Sequence, residues 1–267
     1  MKLTLLGLIA TLSFSLQTQA SSKLESMNLP EAPLIEENYG EPLLQIDAVD
    51  PTPDADIPSD EEVLRMQQEI KELFPETNTV QTQQERMSIL ARYSYVDTRR
   101  VPQDLYETAI AYYDAHKSSL RNPNYLTLVD FGARSNLPRM FIIDMNTGRV
   151  ASIHVAHGEY SDPNKDGHLD SFSNRIGSKQ SSEGFYRVSE TYNSSKFGYA
   201  ARLDGLSSSN SNARARAVVL HGSKYVWERS DVLPGYSWGC LAIAENLKAE
   251  VVPLLANGSL LYASISR

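Results

Sequence analysis

Cys240 is the only cysteine in this chain of 267 residues. It closes the run Ser237-Trp238-Gly239-Cys240, 19 residues after the histidine of His221-Gly222-Ser223. A lone thiol cannot form an internal disulfide, so its use lies elsewhere. A thiolate is a nucleophile, and an imidazole held beside it can take its proton and stabilise the ion pair. Gly222, Ser237 and Gly239 keep the flanking backbone uncluttered, so that backbone N–H groups can approach a developing oxyanion. The competing reading is a buried cysteine acting as a small apolar residue. A tryptophan–glycine turn is a poor place to bury a thiol, so the residue types favour Cys240 as nucleophile and His221 as base.

Other candidates carry less. His157-Gly158 ends an apolar run, and its imidazole belongs either to the site or to the framework. Asp162-x-Asn164-x-Asp166-Gly167-x-x-Asp170 has the oxygen spacing of a calcium loop, with glycine at the turn. Ser173 stands where the closing glutamate of such a loop is needed, so the segment reads as an acidic turn. His154, His157, His168 and His221 do not offer the His-x-x-x-His spacing of a helical zinc site. No metal and no cofactor is expected.

The elements that must position this chemistry are mostly strands. Residues 125–130 and 139–144 are apolar runs of strand length, and Asn146-Thr147-Gly148 turns the second into residues 150–156. Residues 184–188, 217–221 and 259–265 are further short strands. Helical patterns occupy 61–74, where Ser59 can cap, 83–95, 102–116, with proline at its start, and 245–255, disturbed by Pro253. Many short strands separated by turn signals predict a mostly β sandwich or barrel with peripheral helices and a helical N-terminal extension.

The N-terminus has a different character. Lys2, the apolar stretch 3–16 and Thr18-Gln19-Ala20 read as a cleavable signal peptide over residues 1–20. The stretch is short for a bilayer span, so export without stable membrane insertion is expected, most simply to a periplasm. Residues 24–64 hold twelve acidic groups, six of the 13 prolines and no lysine or arginine. That composition predicts a solvated, disordered linker over 21–60, and a protein partner for it stays open. The formal net charge of −8 resides there, since residues 65–267 balance 23 basic against 21 acidic groups. No basic patch invites nucleic acid. A helical extension over 61–120 and a catalytic domain over 121–267 complete the organisation.

Residues 125–265 carry a resemblance. Thr127-Leu128-Val129-Asp130-Phe131, Val155-Ala156-His157-Gly158, Phe172-Ser173-Asn174, Gly177-Ser178, residues 181–186 (SSEGFY), Leu220-His221-Gly222, Tyr225-Val226 and Ser237-Trp238-Gly239-Cys240 follow one another in a family's order. The ordered set resembles the catalytic domain of the murein L,D-transpeptidases, the YkuD-like fold, in the branch that begins with a Thr-x-x-Asp-Phe strand. The resemblance implies that Cys240 attacks the carbonyl of the third residue of a peptidoglycan stem peptide. Terminal D-alanine leaves, and the acyl group passes to an amine on another stem. It implies His221 as base, oriented by a backbone carbonyl just after it, that of Gly222. Ser237, Trp238 and Gly239 would then shape the turn that presents Cys240 and its oxyanion-binding N–H groups. His157 and Tyr225 match substrate-side positions.

Three positions depart from the pattern. Trp238 stands where the wider family has histidine, Ala242 where it has arginine, and Leu241 where the nearer branch has proline. An amine and water both remain open as acceptor, so an L,D-carboxypeptidase or amidase is the alternative. Chain order separates the chain from other Cys–His enzymes. Papain-like and NlpC/P60-type hydrolases place cysteine before histidine, and sortases need an arginine soon after the cysteine, whereas here none follows until Arg267. An exported, non-enzymatic binding domain is the remaining reading, and intact Cys240 and His221 weigh against it.

Overall fold

Apolar side chains on both faces of a strand need a cover on each side, and the fold supplies two. The computed structural model describes residues 23–27, 29, 44–45, 57–75 and 82–267. The signal-peptide reading and most of the acidic segment lie outside these residues. The strands are β1 (Leu44–Gln45), β2 (Tyr125–Asp130), β3 (Met140–Asp144), β4 (Val150–Ile153), β5 (Val155–Ala156), β6 (Gly184–Ser194), β7 (Gly198–Gly205), β8 (Val219–Ser223), β9 (Val232–Leu233), β10 (Leu241–Ala244) and β11 (Ser259–Ser264). The helices are α1 (Lys23–Ser26), α2 (Asp60–Leu73), α3 (Gln83–Arg92), α4 (Gln103–His116) and α5 (Lys248–Leu255).

Nine strands form one barrel-like sheet in the order β4-β3-β2-β11-β6-β7-β8-β10-β5. Its two parallel pairs are β11 with β2 and β10 with β8. The period of two along each strand decides what packs where. Tyr125, Val129, Met140, Ile142, Leu261 and Ala263 join Val251, Val252 and Leu255 of α5 in one core. Leu126, Leu128, Phe141, Ile143 and Leu260 face the other way, onto Ile89 of α3 and Leu105, Ala109 and Ile110 of α4. Such doubly covered strands read as continuous apolar runs rather than alternating ones.

Boundaries follow local chemistry. Ser59 Oγ accepts from Glu62 N at the start of α2, and Thr82 with Glu85 forms a capping box at the start of α3. The expected strand 150–156 is broken at His154 into β4 and β5. β7, β9 and β10 were not expected. β10 is only four residues long, Leu-Ala-Ile-Ala, and is buried on both faces, so it shows no alternation.

The acidic segment is not a solvated spacer throughout. Leu24 and Met27 are buried in the core that contains α5, with Leu29 packed against it, and β1 pairs in parallel with β9. Leu24 lies on α1 and Met27 just past its end, both apolar amid the acidic residues, while pairing of β1 uses backbone groups that are indifferent to net charge. The linker expectation over 21–60 is corrected at these two places. A chain beginning at Ile57 is therefore expected to lose stability on the order of 3 kcal/mol, the worth of re-exposing two such side chains. Denaturant titration measures this, and an unchanged midpoint would show that the segment contributes nothing to the core.

α2 is held by charge. Its Glu62 lies 3.0 Å from Arg214 Nη1 and its Glu69 lies 2.8 Å from Arg187 Nη1. Both arginines also reach the fully buried Asp204, Arg187 Nη2 at 3.0 Å. The helix thus completes the pairing of two buried guanidinium groups on β6 and the turn before β8.

Candidate active site

The base candidate stands on β8, and the nucleophile candidate immediately precedes the neighbouring parallel strand β10. In the β8–β10 ladder Leu220 is opposite Leu241 and His221 is opposite Ala242. Cys240 is the residue just before β10, at the end of the nucleophile turn. The register therefore brings the turn that ends at Cys240 up to the strand that holds His221. Cys240 is 6% exposed, and its thiol donates weakly to Ala217 O at 3.7 Å.

His221 is fully buried, and its Nδ1 lies 3.0 Å from Gly222 O. Nδ1–H donating to that carbonyl leaves the lone pair of the neutral ring on Nε2, the tautomer a base needs. Phe197, in the β6–β7 turn, stacks on the imidazole with centroids 3.9 Å apart and planes 23° from parallel. Its own carbonyl accepts from Lys248 Nζ at 3.2 Å. A side chain on Gly222 would meet Glu245 Oε2 at 2.7 Å and Lys248 Cβ at 2.8 Å, so this position is kept small by packing.

Ser237 braces the nucleophile turn. Its Oγ accepts from Gly239 N at 3.1 Å and donates to Cys240 O at 2.7 Å. Ser237 N donates to His157 O at 3.0 Å, and Glu159 N donates to Ser237 O at 2.8 Å. Gly239 adopts φ +109°, and a Cβ there would lie 2.6 Å from Gln180 O. Both demands restrict the position to glycine. The Gly239 N–H is committed to Ser237, so this pair acts as a strut rather than as an oxyanion donor. Trp238 is half-buried beneath Lys179, whose Nζ lies 3.9 Å from the ring centroid. The indole N–H is buried without a hydrogen-bond acceptor among the described residues.

Two of the residues expected from sequence stand apart. Tyr225 is buried in the core, and its carbonyl accepts from Gly235 N at 3.1 Å, steadying the approach to the nucleophile turn. His157 offers the site only its backbone. Its side chain enters a buried polar cluster, where Nδ1 accepts from Arg139 Nη2 at 2.9 Å and Nε2 lies 3.4 Å from Asp162 Oδ2. Asp162 also accepts from Asp166 N, Gly167 N and Tyr236 Oη. The carboxylate that would open a calcium loop is thus turned inward and used by the loop's own backbone. Among the described residues no cluster of His, Cys, Asp and Glu is arranged to hold a metal. Phe197, Lys179 and Arg216 were missed from sequence because nothing in their spacing links them to Cys240.

The His157 cluster makes the fold acid-sensitive. Burial, reinforced by Arg139, pushes the imidazole down to about 4, against the pull of Asp162. Burial alone would raise Asp162, yet His157, the Gly167 N–H and Tyr236 hold it below its usual range. A histidine depressed in the folded state is protonated first in the unfolded chain. Stability is then lost as pH falls from about 6.5 to about 4, by on the order of 3 kcal/mol. The melting temperature of the wild type should drop over that window, and His157→Gln should flatten the profile. Parallel profiles would mean that another group titrates.

The model of the L,D-transpeptidase catalytic domain family matches residues 97–264, a span that includes α4. No curated protein matches the chain. Among solved structures, an L,D-transpeptidase from Mycobacterium smegmatis is 10% identical, with 53% of this chain and 58% of that one covered and a TM-score of 0.33. An L,D-transpeptidase from Mycobacterium tuberculosis H37Rv is 12% identical, with 53% and 57% covered and a TM-score of 0.34. The L,D-transpeptidase from Stackebrandtia nassauensis is 12% identical, with 81% and 98% covered and a TM-score of 0.33. The chain spans less than two thirds of the mycobacterial structures' length. The family match runs from before α4 to the end of β11 and takes in both Cys240 and His221, and the chain belongs to the L,D-transpeptidase catalytic domain family.

Proposed function

We propose that the protein is an exported cysteine L,D-transpeptidase acting on peptidoglycan stem tetrapeptides, most simply in a periplasm. The observation that supports this reading is the β8–β10 register, in which Cys240 immediately precedes the strand paired with that of His221, whose Nδ1 is anchored on Gly222 O. His221 Nε2 takes the thiol proton, and Sγ attacks the carbonyl of the third stem residue. The tetrahedral intermediate collapses by breaking the C–N bond, and the imidazolium returns its proton to the departing D-alanine amine. The thioester is then attacked by an acceptor amine that loses its proton to His221, and Sγ leaves as the thiolate. Trp238 supplies a buried N–H that has no acceptor among the described residues, which suits it to a substrate carbonyl.

Incubating the protein with tetrapeptide muropeptides and an amine acceptor, and weighing the products, tests this. Cross-linked or D-amino-acid-exchanged products are expected. Loss of D-alanine alone would assign water as the acceptor and make the protein an L,D-carboxypeptidase. Unchanged muropeptides would overturn the reading.

A further inference from the structure

Arg216 lies on the turn entering β8, five residues before His221, and the hydrogen bonds of its side chain gather one segment. Nη1 donates to Ser173 O at 2.7 Å and to Ser182 Oγ, and Nη2 donates to Gln180 O at 2.5 Å and to Ser178 Oγ at 3.2 Å. These acceptors all belong to residues 173–182, a strap that also brings Lys179 over Trp238. The guanidinium rests against the nucleophile turn itself, since a Cβ on Gly239 would meet Nη2 at 2.9 Å. The next residue, Ala217, holds φ +53° and presents the carbonyl that receives the Cys240 thiol. One turn thus joins the base strand, the strap and the nucleophile.

We propose that Arg216 is a positioning residue for Cys240, a fixed cation that pins the 173–182 strap against the Gly239–Cys240 turn and favours the thiolate. The inference rests on reading Cys240 as the nucleophile. A guanidinium suits the task because its planar fork satisfies acceptors on two sides while its charge persists at any working pH. Burial holds Arg216 below its usual range, with Tyr186 and Cys240 pulling the other way, as groups within its field would. A positive charge beside a thiol raises the share of thiolate and hence its reactivity.

Alkylation of the full chain by iodoacetamide across pH, together with tryptic cleavage after Arg175 or Lys179, tests both halves. Arg216→Gln, with folding checked by circular dichroism, should alkylate at least about tenfold more slowly at pH 7 and reach the wild-type rate only at higher pH. Arg216→Lys keeps the charge but not the fork. It should stay within about threefold of wild type in alkylation, while strap cleavage rises about tenfold. A folded Arg216→Gln protein with the wild-type profile overturns the proposal. If that variant does not fold, Arg216→Lys decides alone. A tenfold loss of alkylation, or a strap as protected as in wild type, sinks the idea. A wild type whose Cys240 does not alkylate at neutral pH sinks the nucleophile reading instead, so the two failures are distinct.

Discussion

Cys240→Ala and Cys240→Ser are each expected to abolish turnover with the fold intact. The thiol is the sole one in the chain, so no neighbouring sulfur can substitute. Serine keeps the shape, but its hydroxyl does not yield the nucleophilic anion near neutral pH that a thiol provides. The structural cost is small, because truncating one buried sulfur removes a volume near that of a methyl group, worth about 1 kcal/mol. Intact-mass spectrometry with a carbapenem gives the sharpest measurement. Addition of Sγ to the β-lactam carbonyl opens the ring without a leaving group, so the wild type should gain one whole carbapenem mass. Neither variant should gain a lasting adduct. Full turnover by Cys240→Ala would remove covalent catalysis from the account altogether.

His221→Ala comes next in expected effect, at roughly 10²–10⁴ in rate, the usual contribution of a positioned base. The imidazole is fully buried, stacked on Phe197 and anchored through Nδ1, so little else can take its place. Alkylation of Cys240 by iodoacetamide at neutral pH should fall with turnover, because the proton acceptor is gone. His157→Ala should behave differently. Its side chain lies among Arg139, Asp162 and Tyr236, so removing it should leave alkylation largely intact and lower the melting temperature by exposing Arg139 and Asp162 to an incomplete cluster. If alkylation collapsed in His157→Ala and survived in His221→Ala, the assignment of the base would be wrong.

The chain's own order of residues determined a good part of this protein. The apolar runs that became β2, β3 and β11 were legible because length and residue type alone announce a strand covered on both sides. α2 was legible through its Ser59 cap and apolar spacing, and α4 through its proline start and apolar stripe. Cys240 and His221 stood out as candidates because a single thiol and a His-Gly at a strand end leave few chemical uses. Tertiary structure decided the rest. β10, which follows Cys240 and pairs with the strand of His221, is too short and too evenly apolar to declare itself. His157 and His221 look alike in sequence, each followed by glycine at the end of an apolar run. Only the tertiary structure separates them, sending one imidazole to Arg139 and Asp162 and the other to Gly222 O and the ring of Phe197. Phe197 and Arg216 carry no local pattern at all, because their partners lie 24 and 34–43 residues away and a side chain's role at that range is set by which strands pair. Local sequence encodes backbone preference and covalent chemistry, whereas the approach of distant side chains exists only once the strands are in register.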